Sequence, residues 1–452
     1  MSDNRNIKIA FVSLGCDKNL VDSEVMLGII DREGYTITNA EEEADVIIVN
    51  TCGFILEATD EGIESVIDAG KYKEEGNCKA LIVTGCMAQR YRDEIFNELP
   101  EVDGVVGTGD FEAIASVIKS VLGGEKVKLV TDINNLINEQ NSINRFLSTP
   151  PYFAYMKIAE GCDNRCTYCT IPSLRGKYRS RTMESLIKEA EGLVMKGVRE
   201  IILVAQDTAL YGRDLYGKSM LHELVKKLSE IECLEWIRVL YAYPEHITDE
   251  FIDEMARNPK LCHYIDMPVQ HSEDEILKRM KRQSNRKKLI EVIHKLRAKV
   301  PDIAIRSTLI VGFPGETLED FNGLCEFVQE IKFDRLGVFT YSKEEGTPAS
   351  IMEDQIEEGE KIKRKEFILE IQKGISAEKC SEKIGKTLKV IVEGKVEDGV
   401  YCGRSYMDCY EIDGLVFFNS GEEIIAGDFK DILIKESSDY DLIGEINYEF
   451  AQ

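Results

Sequence analysis

Over the first 130 or so residues, apolar positions come in unbroken blocks separated by helical patterns. Three blocks share one shape: IKIAFVSLGC ending at Cys16, ADVIIVNTC at Cys52 and KALIVTGC at Cys86. Each is a short, β-branched apolar run, as expected of a strand buried on both faces. Val21 to Glu33 and Glu57 to Glu75 carry helical periodicity between them, so the order βαβαβ predicts a parallel sheet. Ligand sites in such sheets form beyond the carboxyl ends of the strands. The three cysteines would then lie on one edge, although they are far apart in sequence.

The stretch from Ile133 to Pro151 is rich in Asn and Ser and closes on Pro150-Pro151, which predicts a linker. Strand-like runs resume at Phe153 to Ile158, Glu200 to Val204, Trp236 to Tyr241, Tyr264 to Val269, Ile303 to Val311 and Arg335 to Tyr341. Helical sequence such as Met183 to Lys196 and Arg286 to Val300 follows them, so six β/α units predict a partial barrel with its working residues on the loops after the strands. Past about Ser376 the pattern turns to short strands at Thr387 to Glu393, Val400 to Arg404, Val416 to Phe418 and Asp431 to Ile434. These predict a small all-β barrel. The expected fold class is therefore multidomain α/β: an N-terminal parallel α/β sheet domain over 1–132, a linker over 133–151, a partial (β/α)6 barrel over 152–375 and a C-terminal all-β barrel over 376–452.

Composition narrows the setting. The chain has 452 residues, 43% of them hydrophobic, enough to bury several cores. Met1 to Lys8 is polar with mixed charge, unlike a signal peptide, and no apolar run approaches the ~18 residues of a membrane span, so a cytoplasmic address with no membrane partner is expected. Thirteen cysteines in such a chain point to metal or catalytic use rather than disulfides. The formal net charge of -26 disfavours non-specific nucleic-acid binding and favours a basic partner, although a local basic patch could still hold RNA.

Cys162, Cys166 and Cys169 form CxxxCxxC directly after a predicted strand. Three thiolates can hold three irons of a [4Fe-4S] cube and leave the fourth iron open to a ligand. Closed zinc sites take four ligands, and no Cys or His follows Cys169 until His222, which favours the cluster over zinc. The spacing of Cys16, Cys52 and Cys86 says nothing alone; their repeated strand-end placement favours a second cluster over buried structural cysteines. The other seven cysteines read as packing residues. Cys402 and Cys409 lack further ligands nearby to complete a metal site.

The CxxxCxxC spacing, with aromatic Tyr168 before the last cysteine, resembles the radical S-adenosylmethionine superfamily. That resemblance implies that the open iron chelates S-adenosylmethionine, whose reductive cleavage gives a 5'-deoxyadenosyl radical able to take hydrogen from an unactivated carbon. SLGCDKNLVDSE, NTCGF and TGCMAQR further resemble the methylthiotransferase family, which implies a second [4Fe-4S] cluster on Cys16, Cys52 and Cys86 carrying the sulfur to be inserted. Asp17 stands where that family more often has proline. The C-terminal barrel resembles a TRAM domain.

Polar groups follow several barrel strands: Gln206-Asp207, Gln270-His271 and Gly312 to Glu316. In the superfamily these regions bind S-adenosylmethionine, so Tyr168, Gln206, Gln270 and Arg306 are its candidate contacts, with loop satisfaction an equal alternative for the last three. His271 reads as a structural hydrogen-bonding group. Arg175, Lys177, Arg179 and Arg181 form the clearest basic run; a solvated surface is the default, and contact with a substrate or carboxylate is the alternative.

Two branches of the family fit, one modifying a transfer-RNA adenosine and the other an aspartate of the small-subunit ribosomal protein at the decoding centre. From Ser376 onward eight Lys and Arg face seventeen Asp and Glu, a net charge of -9 that repels RNA and attracts a basic protein. AEGCDNRCTYCTIPSLRGKYRSR, VVGTGDF, YAYPE and DYDLIGE resemble the ribosomal-protein branch, which implies methylthiolation of an aspartyl β-carbon. One S-adenosylmethionine would methylate the cluster-bound sulfur and another would supply the radical. A low-potential donor such as flavodoxin or ferredoxin and a sulfur donor are the expected partners. A non-catalytic iron-sulfur protein that binds ribosome or RNA is the alternative from a different class.

Overall fold

The computed structural model describes residues 4–134 and 145–448. Much of the expected linker, 135–144, lies outside the described residues, as do both chain ends.

The first sheet has six strands: β1 (Lys8–Ser13), β2 (Thr36–Thr38), β3 (Val46–Thr51), β4 (Ala80–Gly85), β5 (Gly104–Val106) and β6 (Val127–Leu129). All pair in parallel in the order β2-β1-β3-β4-β5-β6. The predicted runs form its centre, and every residue of β3 and β4 is buried because helices cover both faces. The helices Asp17–Arg32 and Leu56–Glu75 stand close to their expected places. The three-residue strands β2, β5 and β6 were not anticipated; they are too short to carry a period.

The second sheet is open and wholly parallel. Its strands are β7 (Phe153–Lys157), β10 (Glu200–Val204), β11 (Trp236–Val239), β12 (Leu261–Asp266), β13 (Ala304–Val311) and β14 (Arg335–Thr340), and the pair β8 (Ala159–Glu160) and β9 (Arg179–Ser180) lies apart from it. Alternation decides what each face meets. Met156, Leu203, Val239 and Ile265 pack under the helices, whereas Phe153, Tyr155, Trp236 and Tyr264 on the opposite face join the core of the C-terminal barrel.

That barrel is closed, in the order β15-β16-β17-β19-β18, from β15 (Thr387–Glu397), β16 (Val400–Ser405), β17 (Val416–Asn419), β18 (Phe429–Ser437) and β19 (Leu442–Ile446). Strand β19 was not foreseen. The expected change to strands at Ser376 also falls inside a helix, Glu358–Ser381, which packs on β14 and on helix Leu318–Ile331. Its few buried positions lie among many charges, which hid the helix from a periodicity reading.

A buried ionic seam joins this barrel to the sheet. Glu200 accepts from Arg238 Nε and from Arg404 Nη2, each at 2.8 Å, with all three side chains fully buried. Arg404 also pairs with Glu393, and Arg238 Nη1 donates to the Tyr406 carbonyl at 2.7 Å. Arg335 pairs with Asp408 at 2.5 Å, Tyr264 Oη donates to Asp413 at 2.8 Å, and Trp236 meets Phe429 edge-on at 4.9 Å.

Candidate iron-sulfur and cofactor site

The strand ends of the first sheet bring the three distant cysteines together. Cys16 caps helix Asp17–Arg32, Cys52 follows β3, and Cys86 opens helix Cys86–Tyr91 directly after β4. Gly85 makes the last approach possible: its φ is +93°, and a Cβ there would lie 2.4 Å from the Thr51 carbonyl oxygen. Side-chain amides then lace the loops. Asn19 Nδ2 donates to the carbonyls of Leu14 at 2.6 Å and Thr51 at 3.3 Å, and Asn50 Nδ2 donates to the Asn19 carbonyl at 3.0 Å. Burial pushes the Cys86 thiol up to about 11, with Cys16 and Cys52 close enough to add to the rise and Arg175 close enough to oppose it.

The second triad sits on one loop after β8. Burial pushes the Cys162 thiol up to about 12, with Cys166 near enough to contribute, and pushes Cys169 higher. Tyr168 Oη, Arg282 Nε and Arg282 Nη1 are buried without a partner beside these sulfurs. Arg282 stacks on the Tyr243 ring at 4.1 Å and is tied by Nη2 to Glu245 at 3.2 Å and to the Pro268 carbonyl at 2.9 Å. Among the described residues no three His, Cys, Asp or Glu side chains converge tightly enough for a single metal ion. Thiolates that each bind a separate iron of a cube stand further apart than the ligands of one ion. Buried donors left unpaired next to three thiols suit a cluster whose sulfurs accept hydrogen bonds.

Between the triads lies a second ionic seam. Asp22, on the helix that Cys16 caps, accepts from Lys157 and, at 2.6 Å, from Arg175 Nη1. Glu160 pairs with the same two cations at 2.5 and 3.2 Å and accepts from Gln206 Nε2 at 2.9 Å. Arg175 Nη2 donates to Asn19 Oδ1 at 3.1 Å. Burial works to raise Glu160, yet Lys157 and Arg175 hold its carboxyl far below the usual range. The surface default for the basic run is thus corrected and its alternative, contact with carboxylates, holds for Arg175 and Arg181, which are buried, the latter on Glu189 at 2.5 Å, whereas Lys177 is exposed. Asp22 comes from another domain, a pairing that no local pattern announces. Asp22 was missed for that reason, and the local pair Lys157 and Glu160, three residues apart, was not singled out either.

The remaining candidates are placed as follows. Gln206 Oε1 is buried with no partner, and Gln270 adopts φ +70° while its backbone bridges β13 by accepting from Ile310 N at 2.8 Å. Strain of that kind gathers at binding sites. Arg306 is held by Asp266 at 2.9 Å and lies 3.5 Å from Asp413 of the C-terminal barrel. His271 is fully buried, accepts from Glu273 N at 3.1 Å and lies 3.6 Å from Glu316, with its Nε2 left without a hydrogen-bond partner. Glu316 closes its own glycine loop by accepting from Gly312 N at 2.8 Å and Phe313 N at 3.2 Å. Of the cysteines read as packing residues, Cys233 is instead exposed.

Three family models match in chain order: uncharacterized protein family UPF0004 over residues 8–107, the radical SAM superfamily over 156–328 and the TRAM domain over 384–446. The chain is 52% identical to the ribosomal protein uS12 methylthiotransferase RimO of Lachnoclostridium phytofermentans, covering 97% of this chain and 99% of that protein. It is 53% identical to the protein of the same name from Caldanaerobacter subterraneus subsp. tengcongensis, over 98% and 100%. Among solved structures, the radical S-adenosylmethionine methyltransferase TsrM from Kitasatospora setae shares the fold at TM-score 0.56 and 13% identity, over 76% of this chain and 75% of that one.

Proposed function

Because the chain belongs to the family of ribosomal protein uS12 methylthiotransferases, we propose that it transfers a methylthio group to the β-carbon of an aspartate in that small-subunit protein. The observation that carries this reading is the pairing of two cysteine triads across one buried seam. When bound, two [4Fe-4S] clusters and S-adenosylmethionine supply the radical that removes hydrogen and the sulfur and methyl that replace it.

The chain's own residues do the rest. Cys162, Cys166 and Cys169 would hold one cluster, and Cys16, Cys52 and Cys86 the other. Tyr168 and Arg282 would donate to the sulfurs around the first of these. Gln206, through its unpartnered Oε1, and Gln270 would meet S-adenosylmethionine at the strand ends. Arg306, already engaged by Asp266 and Asp413, would brace the wall of that chamber. A basic ribosomal protein suits so acidic a chain better than transfer RNA does. A flavodoxin or ferredoxin would supply electrons and a separate donor the sulfur, and no helix among the described residues is long and apolar enough to cross a membrane. With a ribosomal substrate the reaction would run in the cytoplasm.

Anaerobic reconstitution tests the reading. Wild type should hold about eight irons and, given reductant, sulfide and S-adenosylmethionine, add methylthio mass to an aspartate of the ribosomal protein. Alanine at Cys16, Cys52 and Cys86 should leave about four irons and cofactor cleavage but no transfer. Methylthio mass on transfer RNA instead would overturn the substrate.

A further inference from the structure

Arg175 belongs to the second triad's segment in sequence but to the first triad in space. It ends the short helix Ile171–Arg175 that begins two residues after Cys169. That helix packs on helix Cys86–Tyr91, and Thr108 Oγ1 pins it by donating to the Leu174 carbonyl at 2.6 Å. The Arg175 side chain is 2% exposed. Hydrogen bonds to Asp22, Glu160 and Asn19 use three of its five N–H donors. Burial opposes its charge; the Cys86 sulfur, when it is a thiolate, and the Glu160 and Asp22 carboxylates lie close enough to offset that cost. The Asn19 amide that it grips also holds the Leu14 and Thr51 carbonyls, next to the Cys16 and Cys52 loops.

We propose that Arg175 is a positioning residue that sets the reduction potential of the first-triad cluster from across the domain boundary, by placing a fixed positive charge and hydrogen-bond donors at Cys86. The proposal rests on the two-cluster reading above and assigns it a tuning element. Net charge and hydrogen bonds to cluster sulfurs set such potentials, and a nearby cation favours the reduced form. The same side chain fixes the spacing of the triads, because its helix is continuous with the Cys169 loop.

The experiment is a redox titration of the reconstituted full-length protein by electron paramagnetic resonance, comparing wild type, Arg175→Lys and Arg175→Gln. Alanine substitution of one triad at a time assigns the signals. Arg175→Gln should lower the midpoint potential of the first-triad cluster and leave that of the second unchanged. Arg175→Lys keeps the charge without the planar fork, so it should shift the same potential less. It also carries the test if the Gln variant does not fold. Equal potentials in all three proteins, or a parallel shift of both clusters, would overturn the proposal. Wild type with only about four irons would instead sink the two-cluster reading before Arg175 is reached.

Discussion

The central sheet is held to its two neighbours by the same physical device with different results. Toward the first domain, Lys157 and Arg175 share Asp22 and Glu160; toward the C-terminal barrel, Arg238 and Arg404 share Glu200, with Glu393 at the far side. Both networks are buried and each spans a domain boundary. What distinguishes them is their surroundings. The first lies beside Cys86, an unpartnered Gln206 oxygen and loops laced by Asn19 and Asn50, while the second is packed among Phe153, Trp236, Tyr264 and Phe418 together with the buried thiols Cys262 and Cys409. A buried ion network by itself therefore marks a joint between domains. Cysteines delivered together at strand ends, with unsatisfied polar atoms beside them, mark a site.

Removing a carboxylate from each seam separates the two roles. Asp22→Ala leaves Glu160 alone with two buried cations and should cost about 3–5 kcal/mol in denaturant unfolding, together with loss of iron bound by the first triad. Glu200→Ala strips Arg238 of its carboxylate and should cost a similar ~3–5 kcal/mol, with the iron content unchanged. Iron loss in both variants, or in neither, would remove the distinction.

The two seams were invisible in the sequence while the triads were not, and the reason is range. Cys162, Cys166 and Cys169 are legible because one loop carries the whole ligand set. Cys16, Cys52 and Cys86 become legible only through topology, since parallel strands deliver their ends to one edge. Arg175 and Asp22 are 153 residues apart and join different domains, so neither period nor spacing connects them, and a carboxylate partner for Arg175 stood only as the alternative to a solvated surface. The parallel sheets were readable from apolar blocks. Strand β19 and helix Glu358–Ser381 were not, because their buried positions are few and scattered among charges.

Acid should weaken both seams. Burial would raise Glu200, but Arg404 and Arg238 bring its carboxyl below the ordinary 4.5. A depressed carboxyl stabilises the fold above its unfolded value and loses that contribution as pH falls through its folded value. Glu393 behaves oppositely, since burial raises it; its contribution is fully present below 4.5, so Glu200 governs the change there. Glu160 is likewise held down, burial being outweighed by Lys157 and Arg175. Falling pH below the ordinary 4.5 should thus weaken both seams. Trp236, the chain's single tryptophan, packs on Phe429 at the C-terminal seam and reports it directly, so its fluorescence should change on acidification, and protease sensitivity between the first two domains should rise.

The smallest effect tests whether the C-terminal seam is only a joint. Tyr264 Oη donates to Asp413 at 2.8 Å, and Asp413 also lies 3.5 Å from Arg306, the one candidate cofactor contact that reaches the C-terminal barrel. Burial pushes the Asp413 carboxyl up, and Arg306 opposes that rise. Tyr264→Phe deletes one hydrogen bond without opening a cavity and leaves the carboxylate paired, so it should cost about 1 kcal/mol by Trp236-detected unfolding. If the seam is purely structural, S-adenosylmethionine affinity and cleavage by the reconstituted protein should be unchanged. A weaker affinity in a variant that still folds would mean that Asp413 aligns Arg306 for the cofactor, and the barrel would then belong to the site as well as to the scaffold.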